Sequence, residues 1–429
     1  MTQSTEFAAF VGLDWDDEQH AVCILPAAGG PAQHSEVKQH PEDLAAWVAE
    51  LRARFGGRPV AICLEQSRGA LVYALMHYDF LVLHPLNPKQ LSDYRAALYP
   101  SGAKTDPADA ELLARFLRDH TDKVRAWHPD DAVTRGLRLM TEQRRKWVQD
   151  RVALTNELQQ RLKESYVLAL ELCGEDLWSE SLLALLEKFP AQRELQRASP
   201  QQLEKWLPKR RRTVDDPPAE ELLRERIAAI RKAAPNTTDV PVLEHARLVV
   251  VNLVAMLRTL NDGIAASDQK IAELFAVHPD GELFASFPGA GKALAPRLTA
   301  AYGTDRDKFQ DARDMQQLSG IAPVTKASGK SRVVQMRYAC PKFLRQTFHE
   351  FARCSIRSSR WAKAYVDMRR AQGRKYHEIL RALAFKWQRI LFRCWQTREV
   401  YNEDRYLQRL RAAGSKLVAF LPPDPVPTP

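Results

Sequence analysis

Phe10-Val11-Gly12-Leu13-Asp14 is an apolar run that closes on a carboxylate, and His20-Ala21-Val22-Cys23-Ile24-Leu25 answers it after a short acidic turn. So close a return predicts a hairpin, and with it a mixed rather than purely parallel sheet. Working outward, Pro41 to Phe55 has helical spacing through Leu44, Trp47, Val48 and Leu51. Pro59-Val60-Ala61-Ile62-Cys63-Leu64 is another strand, and it closes on Glu65. A helix over Gly69 to Tyr78, a strand from Phe80 to His84, a short helix opened by Asn87-Pro88 and a last helix from Asp106 to Asp119 complete an α/β unit over 8–118.

A hairpin followed by alternating helix and strand, with acids at strand ends, is the order expected of a ribonuclease H-like fold. An acid that closes a buried strand has been carried to a sheet edge. Asp14 and Glu65 hold such positions, and Asp106 and Asp109 follow as an i, i+3 pair in Lys104-Thr105-Asp106-Pro107-Ala108-Asp109-Ala110. Four carboxylates converging from separate elements suit two Mg²⁺ ions, which activate water or a hydroxyl against a phosphate. Blander readings stand beside this one. Asp106 before Pro107 makes a good N-cap with Pro at N1, and Asp109 at N3 gains from the helix dipole. Asp14 fits a turn with Asp16, Asp17 and Glu18, whereas Glu65 has only Arg68 nearby in sequence.

The 429 residues exceed one ordinary core, so two or three domains are expected, and 45% apolar content supports folding throughout. A net charge of +10 favours a polyanionic partner, nucleic acid first. Six scattered cysteines with no CxxC pair read as reduced core thiols of a cytoplasmic protein. No N-terminal signal is visible, and no apolar stretch approaches a membrane span.

From about Thr134 long helices take over. Thr134 to Leu172 is strongly basic, with Arg144, Arg145 and Arg151 among its cations. In Val242 to Phe275, Val250, Leu257, Ile264 and Ile271 repeat every seven residues, as do Leu253, Leu260, Ser267 and Leu274. That seam predicts an antiparallel hairpin or a pair between subunits, with a plain bundle core as the alternative. Between these helices lie a leucine-rich helix, Leu182 to Phe189, and the basic run Lys209-Arg210-Arg211-Arg212, a candidate phosphate contact or a solvated charge run. The last domain, about 283–412, reads as mostly helical. Its entry, Pro288-Gly289-Ala290-Gly291-Lys292, resembles a helix–hairpin–helix turn, where amides at a helix start meet a phosphate; a tight glycine turn explains it equally.

Gly12-Leu13-Asp14, Glu65, Asn87-Pro88, Lys104 to Ala110, Pro288 to Gly291 and Gly320-Ile321-Ala322-Pro323, in this order, resemble the DEDD family of insertion-sequence transposases, the bridge-RNA-guided recombinases. The resemblance covers about 8–118 and 283–400. It implies a fold of α/β plus all-α class: a domain like that of the Holliday-junction resolvase RuvC over 1–130, a coiled-coil helical region with an inserted basic segment over 131–282, and a helical C-terminal transposase domain over 283–415. Residues 416–429 are expected to be a disordered tail. The family's nucleophilic serine lies shortly after its Gly-x-x-Pro segment and just before a glycine. Lys326-Ala327-Ser328-Gly329-Lys330 fits, making Ser328 the candidate, Ser331 the fallback, and Ser319 too early. The bland reading of Ser328 is a basic Ser-Gly turn between helices. Two departures stand out: Ser331 to Pro341 lacks the glycine-containing basic stretch common in relatives, and the insert around 175–240 lengthens the chain.

The resemblance further implies a transient phosphoserine at Ser328, Mg²⁺ held by Asp14, Glu65, Asp106 and Asp109 with Mn²⁺ able to substitute, and a structured guide (bridge) RNA pairing with donor and target DNA. It implies a homo-oligomer, a dimer or a tetramer on DNA. The expected nucleic-acid contacts are Lys104, Arg144, Arg145, Arg151, Lys209 to Arg212, Gly289, Gly291, Lys292, Lys326 and Lys330. The competing readings are a junction-resolving nuclease that uses the four acids and water, and a non-catalytic nucleic-acid binder whose acids are caps.

Overall fold

The computed structural model describes residues 6–99, 104–173, 176–207 and 219–421. It divides into two units, Met1–Pro129 and Asp130–Pro429. Lys209 to Arg212 lie outside the described residues.

In the first unit the chain runs β1 (Ala9–Asp14), β2 (Gln19–Pro26), β3 (Gln33–Lys38), α1 (Pro41–Phe55), β4 (Val60–Leu64), α2 (Ala70–Leu75), β5 (Leu81–Pro85), α3 (Pro88–Leu98) and α4 (Asp106–Asp119). The sheet order is β3-β2-β1-β4-β5, with β1, β2 and β3 antiparallel in turn and β1, β4 and β5 parallel. The expected mixed α/β sheet is therefore present. Alternation assigns the faces. Val11 and Leu13 of β1, with Ile62 and Leu64 of β4, pack against Leu44, Trp47, Val48 and Leu51 of α1. Phe10 and Gly12, with Ala61 and Cys63, meet α4 on the other face. Pairing of Gly12 with Cys63 and Leu13 with Leu64 leaves Asp14 and Glu65 next in register, at the same end of two neighbouring parallel strands.

Gly12 is what lets α4 lie on β1. A Cβ there would stand 1.8 Å from the carbonyl oxygen of Ala110 and 2.5 Å from the amide nitrogen of Ala114. Ala110 and Ala114, one turn apart and fully buried, complete this close seam against Ala21 and Cys23 of β2.

The second unit begins with α5 (Ala132–Ser165), α6 (Val167–Cys173), α7 (Glu180–Lys188), α8 (Gln192–Arg197), α9 (Pro200–Trp206), α10 (Ala219–Lys232) and α11 (Val240–Ala276). Then come α12 (Gly281–Ala285), α13 (Gly291–Tyr302), α14 (Ala312–Leu318), the hairpin β6 (Val324–Ser328) and β7 (Ser331–Gln335), α15 (Lys342–Ser358), α16 (Arg360–Ala371), α17 (Tyr376–Thr397) and α18 (Glu403–Ala412). The remainder is thus mostly helical, as expected, apart from the β6–β7 hairpin. Arg144 pairs with Asp268 and Arg151 with Asn261, so α5 and α11 run antiparallel. Val250, Leu257, Ile264 and Ile271 are all buried inside this chain. The seam therefore needs no second subunit, and the leucines of α7 close its upper part against Val250, Leu253, Val254 and Leu257.

Two expectations are corrected here. α11 is long and apolar enough to cross a membrane by length and composition, with a window of mean hydropathy 1.6. One stripe of it, Val250, Leu253, Val254, Leu257, Ile264 and Ile271, buries inside this unit, whereas Leu248, Val251 and Met256 stay exposed. The tail is ordered further than expected: Lys416–Phe420 forms a 3-10 turn because Leu417 docks into the aromatic core built by Trp361, Trp387 and Trp395. Residues 422–429 lie outside the described residues.

Candidate active site

Strand alternation, the Gly12 contact and the start of α4 bring the four predicted acids into one electrostatic neighbourhood. The Asp14 carboxyl is pushed up to about 6, first by burial, then by the negative charges of Asp109, Glu65 and Asp106, with Lys104 opposing. The charges of the three other carboxylates therefore all reach Asp14. The cap of α4 is Thr105 rather than Asp106, which makes Asp106 the first helical residue and leaves it exposed. Asp109 sits one turn on and is only 2% exposed.

Asp109 is held by a residue the sequence reading missed. Arg95 of α3 donates from Nε at 2.8 Å and from Nη2 at 2.6 Å, both to Oδ1. Lys104 Nζ lies 3.8 Å from Oδ2. A signal for Arg95 existed: it follows Leu91, the buried residue of α3, by four positions and therefore shares its face. With Asp109 turned toward these cations, no group of three or more His, Cys, Asp or Glu side chains among the described residues is arrayed to hold an ion. The donor set still fits Mg²⁺. Four carboxylates are hard oxygen ligands, and a divalent cation would offset both the burial that chiefly raises the Asp14 pKa and the neighbouring negative charges that add to it.

Ser328 ends β6, and the turn that follows joins two strands, not two helices as the bland reading had it. Gly329, at φ 55°, and Lys330 form a two-residue turn, and Ser328 pairs directly with Ser331. Candidate and fallback therefore share one face at the hairpin tip, with Lys326 two residues back on that face. Both strands are exposed apart from the half-buried Val324. From Met315 to His349 there are six Lys and Arg residues and no Asp or Glu, so the hairpin rises from a wholly basic stretch. Ser319 is fully buried, its hydroxyl accepting from Gln388 at 2.7 Å, which removes it as a nucleophile.

The remaining predicted contacts divide. Arg151 is engaged within the chain, stacked 4.8 Å over Trp178 and bonded to Asn261, because α5 and α11 bury its stem. Arg144 grips Asp268. Gly289 serves packing as well as its φ of 82°, since a Cβ would strike the backbone of Cys354 at 2.7 Å. Gly291 opens α13 with free space around it, and Lys292 is exposed beside it.

Two family models match separate stretches of this chain, the first running past the boundary between the two structural units. A DEDD transposase family model matches 11–167, a span holding all four acids. The transposase IS116/IS110/IS902 family model matches 281–367, a span holding the Gly289 turn and Ser328. The mini-circle putative transposase for IS117 of Streptomyces coelicolor is 28% identical over 95% of this chain and 98% of its own. An uncharacterized 43.6 kDa protein of insertion element IS110 from the same organism is 25% identical over 91% and 95%. An uncharacterized 42 kDa protein of insertion element IS900 of Mycobacterium paratuberculosis is 27% identical over 83% and 84%.

Proposed function

This chain belongs to the IS116/IS110/IS902 family of insertion-element transposases, and we propose that it cuts and rejoins DNA through a covalent serine intermediate. The observation that carries this reading is the half-buried Asp14 carboxyl, within reach of the charges of Asp109 and Asp106 in the first turn of α4 and of Glu65 after the adjacent strand. Such a cluster is unfavourable in isolation and becomes favourable with a divalent cation between the acids. Asp14, Glu65, Asp106 and Asp109 would hold Mg²⁺, in a domain of RuvC-like kind. Bound there, the ion supplies Lewis-acid polarisation of the scissile phosphate and offsets charge on the leaving oxygen.

The chain's own residues divide the rest of the work. Arg95 fixes the carboxylate of Asp109. Ser328 Oγ attacks the phosphorus: an Oγ–P bond forms, the P–O3′ bond breaks, the hydroxyl proton passes to a base and the departing 3′ oxygen gains a proton. Attack by the 3′ hydroxyl of the new partner strand reverses these changes and frees the serine. Lys326 and Lys330 beside Ser328 steady the phosphate. A structured RNA that pairs with donor and target DNA would carry sequence recognition, which the dispersed Lys and Arg, without one dedicated reading helix, support. The working form is a homo-oligomer on DNA.

The test is adduct capture. Wild type incubated with Mg²⁺ and element-end DNA should yield a covalent protein–DNA species after denaturation, mapped by mass spectrometry to the peptide containing Ser328. Ser328→Ala should abolish it and leave folding intact. An adduct on Ser331 would move the nucleophile across the hairpin. Metal-dependent cleavage with no adduct would replace serine attack by hydrolysis at the acid cluster.

A further inference from the structure

The second unit contains a cleft of about 1020 Å³ that the proposed chemistry does not use. Its walls come from α5, the start of α13, α15 and α17, with Asp268 of α11 at its margin. Five cations line it against two carboxylates, Asp268 and Glu350.

The two carboxylates are already taken. Asp268 accepts both arms of Arg144, and Glu350 pairs with Arg297. Arg145 is left with no carboxylate partner among the described residues, and its Nε is buried without an acceptor. Arg297 is 9% exposed; it donates from Nε to Thr347 at 3.1 Å and pairs with Glu350, yet its Nη2 is buried with no acceptor. Arg144 and Arg145 stand near enough to Arg297 for their charges to depress its pKa, alongside the larger effect of burial. A guanidinium does not deprotonate at physiological pH, so these groups stay charged. Three arginines thus share two carboxylates, and the orphaned N–H groups of Arg145 and Arg297 are donors that an incoming anion would satisfy.

The start of α13 adds to the same demand. Ala290 caps it without a side-chain acceptor, and the first backbone bond closing onto the cap is from Leu294 N–H to Ala290 C=O. The amides of Gly291, Lys292 and Ala293 thus face outward at the positive end of a twelve-residue helix, and Lys292 and Ala293 line the cleft.

We propose that this cleft seats the phosphodiester backbone of a nucleic-acid strand, with phosphate oxygens received by Arg145, Arg297 and the amides opening α13. The assignment rests on the reading of the chain as a nucleic-acid enzyme and adds the place where the backbone is gripped away from the reacting atoms. DNA and RNA share this chemistry, and the experiment separates them.

The full chain, with Asp14→Asn to suppress cleavage, would be titrated by fluorescence anisotropy against a short labelled duplex DNA and against an RNA hairpin over a range of salt. Arg145→Ala with Lys292→Ala would be compared on the same background. If the cleft takes duplex DNA, the log–log salt slope falls in magnitude by about 2 and binding at about 0.15 M salt weakens roughly thirtyfold, since each lost phosphate contact removes about 0.9 from the slope. A fall confined to the hairpin assigns the cleft to RNA. Lys292→Glu, exposed at the helix start, should act in the same direction and guards against a packing effect at Arg145. A steep parent slope unchanged in these variants on both nucleic acids overturns the cleft assignment and leaves the catalytic reading standing. A flat slope in the parent overturns both.

Discussion

Gly12→Ala probes whether the seat of α4 on β1 sets the acid cluster. The added Cβ would lie 1.8 Å from the Ala110 carbonyl oxygen and 2.5 Å from the Ala114 nitrogen. Both are main-chain atoms, so no rotamer change relieves the overlap. Ordinary contact begins near 3.4 Å, so α4 must retreat by roughly 1.6 Å at that point. Forcing a methyl into so close a seam costs about 1–3 kcal/mol. The helix that retreats carries Asp106 and Asp109, while Asp14 stays on the strand. A misplacement of about 1 Å at a reacting centre lowers rate by about a hundredfold. Urea denaturation should therefore show a lower midpoint, and Mg²⁺-dependent strand cleavage should fall at least that far at temperatures where the variant is fully folded. A variant with the wild-type midpoint and full cleavage would refute the argument. A destabilised variant with full cleavage would refute the link between the seam and the site.

Two further outcomes follow from burial and charge. The folded Asp14 pKa of about 6 lies above its ordinary 3.8, so between those values the native state keeps a proton the unfolded chain has lost, and stability falls as pH rises. Without divalent metal, Asp14→Asn should flatten that fall and gain about 1 kcal/mol at pH 7 once solvent screening is allowed for; superimposable pH–stability profiles would contradict this. Leu257→Asp puts a carboxylate at a fully buried position between α11 and its neighbours, and should lower stability by more than about 3 kcal/mol with loss of helical circular dichroism. A folded, smaller species in light scattering would mean instead that Leu257 meets another subunit.

What the sequence disclosed depended on whether burial left a pattern. The Pro41 to Phe55 and Asp106 to Asp119 helices were legible to the residue, since each carries a proline in its first turn and buries one stripe. β3 was not, because only Val37 of Gln33–Lys38 is buried and an edge strand of that kind shows no alternation. β6 and β7 escaped for the same reason: strands that stand in solvent have no inward face to betray them. The heptads of α11 announced that a partner exists without naming it. α5 answers them irregularly, with Thr141 and Thr155 among its buried residues and Trp147 lying over Gly263, so its own repeat is blurred.

The acid quartet was legible for a physical reason that also limits it. A carboxylate that ends an apolar run is conspicuous because the run fixes its position, so Asp14 and Glu65 could be read one strand at a time. Their convergence with Asp106 and Asp109 depends on distance between elements, which no run encodes. That distance is set by Gly12, an absence of side chain, and by Ala110 and Ala114 one turn apart on the facing helix. Alternation then carries the argument through: Gly12 must face α4 for the helix to approach, and Asp14, two residues on, therefore points to the same side. Gly12 and Asp14 are in phase on one strand, so the close packing of α4 also brings the helix that carries Asp106 and Asp109 to the side on which Asp14 lies. Arg95 completes the arrangement from α3, where a charged side chain at the buried face finds its counterion in Asp109. A sequence read for its apolar runs finds the acids, and the small residues between them supply the distance at which they meet.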